Sequence, residues 1–257
     1  MKKVKFYSEM PVDVFPIPAQ KMIPDWWKKG ENFISKEDDG INVLGKEDRA
    51  GGMKSCVPFL DAITSGYLIL ATYDIEITRN DSNVVEYRKV RKNEQGEWVQ
   101  DYSPVTRDLI TERPINLGHT IPRPPGCSWN HLAWGGMWGY DLPRGWSMLV
   151  THPLNRWELP FVTTSAIVDG DNFPLSGFYP FFIKEGWLGV IEEGTPIIQM
   201  IPIKRETWMA SFHILPNSWK KMADALRSVN YGYYRSNFWV KKKYLSEKNN
   251  KKELEEE

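Results

Sequence analysis

The stretch GTPIIQMIPIKRE, residues 194–206, decides how the chain is read. Gly194-Thr195-Pro196 is a turn signal, because glycine tolerates positive φ and proline pre-sets its own backbone angle. The run 197–203 then reads as a short apolar strand. Gln199 sits in the middle of that run, where a polar side chain needs a partner. Pro202 cannot donate to a ladder, which predicts an edge or a bulge at that point. Lys204, Arg205 and Glu206 by themselves read as a solvated strand exit, and the sequence assigns no function to Lys204 or Arg205.

Working outward, the same style of segment recurs. HLAWGGMWGYDL, WSMLVTH, PFVTTSAIVDG, FYPFFIKEG and WLGVIEEG are short runs separated by Pro, Gly, Asn and Asp turns. Strands at this spacing predict a mostly β domain, a barrel or a sandwich. Further upstream, CVPFLDAITSGYLILATYDIEIT (56–78) is read as short strands, with clean alternation in YDIEIT. VVEYRKVRKNEQGEWVQDY (84–102) is read as a polar two-stranded hairpin turning at Asn93-Glu94-Gln95-Gly96.

The flanks differ. Residues 1–55 form a Pro- and charge-rich N-terminal arm, with Trp26 and Trp27 expected to pack it onto the main body. Residues 36–52 read as a polar loop. The β domain is placed at 56–213, with the charged hairpin inserted at about 79–103. Residues 214–245 form a helical and aromatic segment, starting at Pro216-Asn217-Ser218 and carrying Trp219, Met222, Ala223, Leu226 and Val229 at helical spacing. Residues 246–257 are a charged tail.

Composition excludes several classes. Of 257 residues, 41% are hydrophobic and 26% charged, as in a soluble globular protein. Lys plus Arg equals Asp plus Glu at 33 each, so nothing supplies the positive excess that a nucleic-acid coat needs. No apolar run is long enough to span a membrane, and the N-terminus has no signal-peptide core. Cys56 and Cys127 make no C-x-x-C pair, which fits a reducing compartment. Nucleotide-binding glycine loops and the G-x-S-x-G elbow are missing from the sequence. WGGMWG reads as close packing beside large indoles.

Three polar clusters remain. THPLNR offers His152, Asn155 and Arg156 in a turn, a reasonable clamp for phosphate or carboxylate. IVDGDNF places Asp169 and Asp171 after an apolar strand, where carboxylates hold a water, a sugar hydroxyl or a cation, or simply make a turn. The third is the exit IKRETW. His119 and His131 could meet across two strands as ligands in a cupin-like metal enzyme, although no H-x-H or H-x-D pair accompanies them.

The order of these clusters carries a resemblance. LPRGWSMLVTHPLNRWELPFVTTSAIVDGDNF, followed by GTPIIQ, resembles the middle of the deoxyuridine triphosphatase and deoxycytidine triphosphate deaminase superfamily. AITSGYLILATYDIEI is similar to the first motif of that family. The resemblance implies a distorted, dUTPase-like β-clip barrel or jelly roll with an N-terminal arm and a C-terminal helix. It also implies a homotrimer, and a site for a nucleotide or other small phosphorylated ligand. By the same resemblance Asp169 is the water-activating carboxylate. Asn155, Arg156, Asp171, Phe173 and Gln199 are ligand-side residues, and magnesium is the cofactor to consider. The sequence departs from the motifs at Leu68, where the family keeps an aspartate, and at Pro153-Leu154-Asn155-Arg156, which lacks the phosphate-binding serine. No glutamate precedes Glu185 in FYPFFIKEG, which disfavours deamination.

CVPFLDAITSGY, PRGWSMLVTHPLNRWELPF, IVDGD and GTPIIQMIPIKRETW also resemble, over more of the chain, a family of uncharacterised phage and bacterial proteins, a domain of unknown function. That likeness implies a phage setting: the cytoplasm of an infected or bacterial cell, or the virion. Three functions follow as expectations. The first is a divergent nucleotide-binding protein, a pyrophosphatase if catalysis survives. The second is a phage structural or host-interaction protein that keeps only the scaffold. The third is the metal enzyme using His119 and His131.

Overall fold

The computed structural model describes residues 2–8, 13–31, 33–35, 49–105, 108–111, 121–227 and 233–246. It divides into two compact units. One comprises residues 1–17 and 66–206, the other residues 18–65 and 207–257.

In chain order the early strands are β1 (Lys5–Tyr7), β2 (Ile17–Pro18), β3 (Phe33–Ser35), β4 (Arg49–Gly51), β5 (Tyr67–Leu70), β6 (Ile75–Arg79), β7 (Val85–Lys92) and β8 (Trp98–Gln100). Then come β9 (Ile110–Thr111), β10 (Leu132–Trp134), β11 (Gly139–Asp141), β12 (Trp146–Thr151), β13 (Phe161–Thr163) and β14 (Ala166–Val168). The last are β15 (Tyr179–Ile183), β16 (Gly189–Ile191) and β17 (Pro196–Lys204). The molecule is mostly β, and the pairings described are antiparallel.

The β unit is built on the run β14-β12-β17-β5. Beside it lie the sheets β13-β15-β10-β9 and β16-β6-β7-β8 and the pair β1-β11. No closed barrel forms among the described residues. β17 is the central strand. It pairs with β12 from Thr151↔Gln199 to Trp146↔Lys204. It pairs with β5 from Pro196↔Leu70 to Met200↔Tyr67, with a register shift between Pro196 and Ile198. Pro202 lies past the end of the β5 pairing, where β17 has one neighbour, so its missing N–H fits there. The chain approaches this junction through Gly66 at φ +68°, where a Cβ would stand 2.0 Å from the Met200 carbonyl oxygen.

The core gathers the inward residues of these sheets. Trp134, fully buried, stacks on Phe181 at 3.6 Å between centroids and meets Phe161 edge-on at 5.1 Å. Its indole N–H donates to Thr163 Oγ1 at 3.0 Å, and Thr163 donates onward to the Ile197 carbonyl at 2.8 Å. Both polar groups are thereby satisfied inside an aromatic core. Gly135, next in chain, could not be replaced: a Cβ there would lie 2.3 Å from the Asp108 carbonyl oxygen.

The polar hairpin is β7 with β8. Its turn is tied by Asn93, whose Oδ1 accepts the N–H groups of Gln95 and Glu97 at 3.0 and 2.8 Å, and Gly96 takes φ +82°. One segment differs from the strand reading: Val57–Thr64 is a helix. Pro58 stands in its first turn, where a missing N–H costs nothing, and the Cys56 carbonyl accepts from Phe59 and Leu60.

That helix belongs to the second unit. Phe59 stacks on Trp27 at 5.6 Å, so the indoles of the N-terminal segment pack on this helix. Asp61 accepts from Trp239 Nε1 at 3.0 Å and Lys242 Nζ at 2.7 Å, and Gln20 donates to the Tyr244 carbonyl at 2.8 Å. Residues before and after the β unit thus form one body, with the helices Asn217–Arg227 and Tyr233–Asn237 in its C-terminal part. The polar loop expected at 36–52 and the tail at 246–257 fall largely outside the described residues. Among the described residues no helix is long and apolar enough to cross a membrane.

Candidate functional site

The β12–β17 register fixes two polar clusters at opposite ends of β12. At its N-terminal end stand Gly145 and Ser147. Directly across the ladder β17 runs out into Lys204 and Arg205, and the Arg205 N–H donates to the Gly145 carbonyl at 2.9 Å. On the other side β14 delivers Asp169, whose carbonyl accepts from Asn172 and Phe173 at 3.0 Å each to close the Asp-Gly-Asp-Asn turn.

Here the charges meet. Ser147 Oγ donates to Asp169 Oδ1 at 2.7 Å, and Arg205 Nη1 reaches the same oxygen at 2.9 Å. Arg205 Nη2 pairs with Asp171 Oδ2, which also accepts the Gly145 N–H at 2.7 Å. The Ser147 hydrogen bond, and then the Arg205 guanidinium, hold the Asp169 carboxyl below its usual range; the same contact raises Arg205. Asp169 has 57% of its side chain exposed, whereas Asp171 has 3%. Asp171 Oδ1 is buried without a hydrogen-bond partner among the described residues. Phe173 is about half exposed beside this turn.

The other end is a turn held from beneath. Gln199, fully buried, accepts the Leu154 N–H through Oε1 at 2.7 Å. The polar residue in the apolar run thus supports the Pro153–Arg156 turn. Asn155 takes φ 59° there, a left-handed position that asparagine tolerates. Arg156 is nearly buried and pairs with Glu158. His152 accepts the Thr163 N–H at Nδ1, 3.3 Å, and faces the Arg156 carbonyl through Nε2 at 3.2 Å, which makes it an Nε2–H tautomer. Burial lowers its pKa to about 4, so the ring is neutral and acts as a brace between β13 and the Arg156 turn.

The two clusters stand apart within one chain. Ser147 and Thr151 are four residues apart on a strand, roughly 13 Å at the usual rise per residue. Asp169 and Asp171 meet Arg205, whereas Leu154 meets Gln199 and Arg156 meets His152 and Glu158. Asp169 and Arg156 are therefore brought to different ends of the same strand, and each has an opposite charge beside it.

The remaining candidates divide similarly. Leu68 is buried opposite Gln199 in the ladder. His131 faces the Phe182 ring at 5.7 Å, while His119 lies outside the described residues. Among the described residues no group of three or more His, Cys, Asp or Glu side chains converges as a metal would need. Cys127 is buried, which raises its thiol pKa, and Cys56 is exposed.

Comparison of the chain with protein-family models, curated proteins and solved structures found no match. Ser147 and Arg205 are the residues that sequence reasoning passed over. Arg205 was in view as a charged strand exit, but its two partners lie 34 and 36 positions back, and only the register brings them together.

Arg205 neutralises a carboxylate that is almost fully buried, whereas Asp169 is largely solvated. Arg205→Ala is expected to lower stability measurably by leaving the buried Asp171 carboxylate uncompensated. Asp169→Ala is expected to cost clearly less, as exposed ion pairs do. Urea denaturation of both variants measures the difference, and equal losses would contradict the assignment.

Proposed function

We propose that this protein is an interaction protein that keeps a triphosphatase-like β-clip scaffold and uses it to assemble with copies of itself. The observation that carries this reading is the segment Thr207–Leu215, which directly follows the central strand. Trp208 is 83% exposed, Met209 96%, Phe212 93% and Ile214 91%. Single exposed apolar residues are ordinary, but a run of them marks an interaction site.

The segment also has the pattern of a strand without a partner. Trp208, Ala210, Phe212 and Ile214 alternate with Met209, Ser211, His213 and Leu215, the period of two that puts one set on one face. No charged residue interrupts it. A complementary edge exists: β14 ends its sheet, with Ile167 65% exposed. Adding a strand to such an edge supplies main-chain hydrogen bonds together with apolar burial.

Area and charge favour a second copy as the occupant. Two aromatic side chains bury roughly 150–250 Å² each. Two or three such arms, with Met209 and Ile214, approach the roughly 1,200 Å² that stable interfaces need. The formal net charge is zero, so copies do not repel at long range. Three copies is the number implied by the resemblance to the triphosphatase superfamily. In this reading the setting is a phage particle or an infected cell, and hydrolysis has been given up.

A second reading, binding of a nucleotide or other small phosphorylated ligand, has one observation in its favour. Asp171 Oδ1 is a buried acceptor without a donor beside Asp169, where a ligand hydroxyl or a water would bind. Against it, Arg156 lies at the far end of β12, so a neighbouring copy would have to supply the phosphate clamp.

Sedimentation across the micromolar range tests the first reading. The unmodified chain is expected to associate. Replacing Trp208 and Phe212 by Ser should weaken association by about 100-fold or more, since each large side chain contributes about 1.5–3 kcal/mol. Circular dichroism should be unchanged, because neither side chain supports the fold. A monomer at every concentration, or association indifferent to both changes, refutes the proposal.

The nucleotide reading expects deoxynucleoside triphosphates with magnesium to raise the melting temperature by about 2–4 °C. No shift with any nucleotide removes it.

A further inference from the structure

We propose that the polar hairpin carries a binding groove for a neutral saccharide, on the face formed by Tyr73, Tyr87 and Tyr102. The groove is a cavity of about 330 Å³ between β7–β8 on one side and Val105, Asp108 and Ile110 on the other. That is the small end of the range of ligand sites, roughly 300–1,000 Å³, and suits one or two sugar rings.

The groove is built and held. Tyr73 Oη accepts the Leu109 N–H at 2.8 Å, and Tyr87 Oη donates to the Ile110 carbonyl at 3.4 Å, so two phenols fix its far wall. Lys89, two residues beyond Tyr87 on the same strand, forms the near wall. Its Nζ meets Asp101 Oδ2 at 2.8 Å and the Ser103 carbonyl at 3.2 Å, and lies 5.5 Å from the Tyr73 ring centre. Asp101 accepts in addition from the Ser103 N–H and hydroxyl, each at 2.9 Å. The Lys89 hydrogen bond leads the set of contacts that hold its carboxyl down to about 2, so the network stays charged at neutral pH. Such an arrangement on a solvated hairpin is rigid polar structure around an open aromatic space.

The chemistry of the lining selects the ligand. A sugar presents hydroxyls that both donate and accept, together with C–H faces that lie on aromatic rings. The groove offers the Tyr102 ring, 83% exposed, as a platform, with its hydroxyl 3.1 Å from Gln100 Oε1. Tyr73 accepts through its oxygen and so keeps its own proton to donate. Carboxylate oxygens of Asp101 and Asp108 accept. A phosphate would find no surplus of positive charge. Arg88 is paired with Glu76 and Lys89 with Asp101, and Asp108 adds a further negative charge to the wall.

Saturation-transfer NMR on the full chain tests this, with glucose, galactose, N-acetylglucosamine, lactose and chitobiose as probes and deoxyuridine monophosphate as the anionic comparison. At least one sugar is expected to bind with millimolar affinity. Tyr102→Ala should weaken it by about tenfold through loss of the stacking face. Tyr73→Phe should weaken it about fivefold, through loss of one donated hydrogen bond and of the acceptor that holds the Leu109 N–H in the wall. Tyr102 is exposed, so its removal leaves the fold intact, and an unchanged melting curve confirms that. No saturation transfer to any of the sugars overturns the proposal. Binding that both variants leave unchanged also overturns it, because the site would lie elsewhere. So does Tyr102-dependent binding of deoxyuridine monophosphate with no sugar bound.

Discussion

The antiparallel pairing of Trp146–Thr151 with Gln199–Lys204 is the contact from which the rest of the β unit takes its positions. Six consecutive pairs set one register. A slip by one residue would turn every side chain of β17 to the other face. Gln199 would then leave the Leu154 N–H unpaired, and the chain at Arg205 would no longer face Gly145. The same register puts Ile197 where Thr163 can reach its carbonyl, which in turn satisfies the Trp134 indole at the centre of the aromatic core. Backbone pairing, buried polar satisfaction and aromatic packing therefore depend on one another.

Charge follows the same frame. Each end of β12 carries a cluster in which positive and negative groups sit beside each other: Arg205 with Asp169 and Asp171, and Arg156 with Glu158. Compensated clusters of this kind tie loops to a sheet. A phosphate-transfer site needs instead a cation directed at a substrate and a carboxylate near a positioned water. Within one chain those two parts are separated by the length of β12.

Local patterns in the sequence were legible where local chemistry decides the outcome. The run after Gly194-Thr195-Pro196, the alternation of YDIEIT and the Asn93–Gly96 turn each carry their own backbone instruction, and the mostly β class follows from them. Val57–Thr64 was misread because its apolar residues fit either period, and the deciding signal was Pro58 in a first turn. Long-range partnerships were not legible. Asp61 meets Trp239 and Lys242, 178 and 181 positions away, and no local pattern announces that residues 18–65 and 207–257 build one unit. Gln199 was visible as an anomaly, and its role as support for a turn on the neighbouring strand was within reach. Arg205 was not, because a charged strand exit looks the same whether it ends in water or between two carboxylates.

The segment Thr207–Leu215 is the point at which sequence pattern and structure disagree most. It has strand periodicity and large apolar side chains, yet it makes no strand within its own chain. Amide hydrogen exchange measured over a range of protein concentration tests directly whether a second copy covers it. Residues 197–203 should be protected at every concentration, while residues 207–215 should exchange freely when dilute and become protected as copies associate. Free exchange of residues 207–215 at every concentration, or equal protection in the dilute monomer, would contradict assembly through this segment.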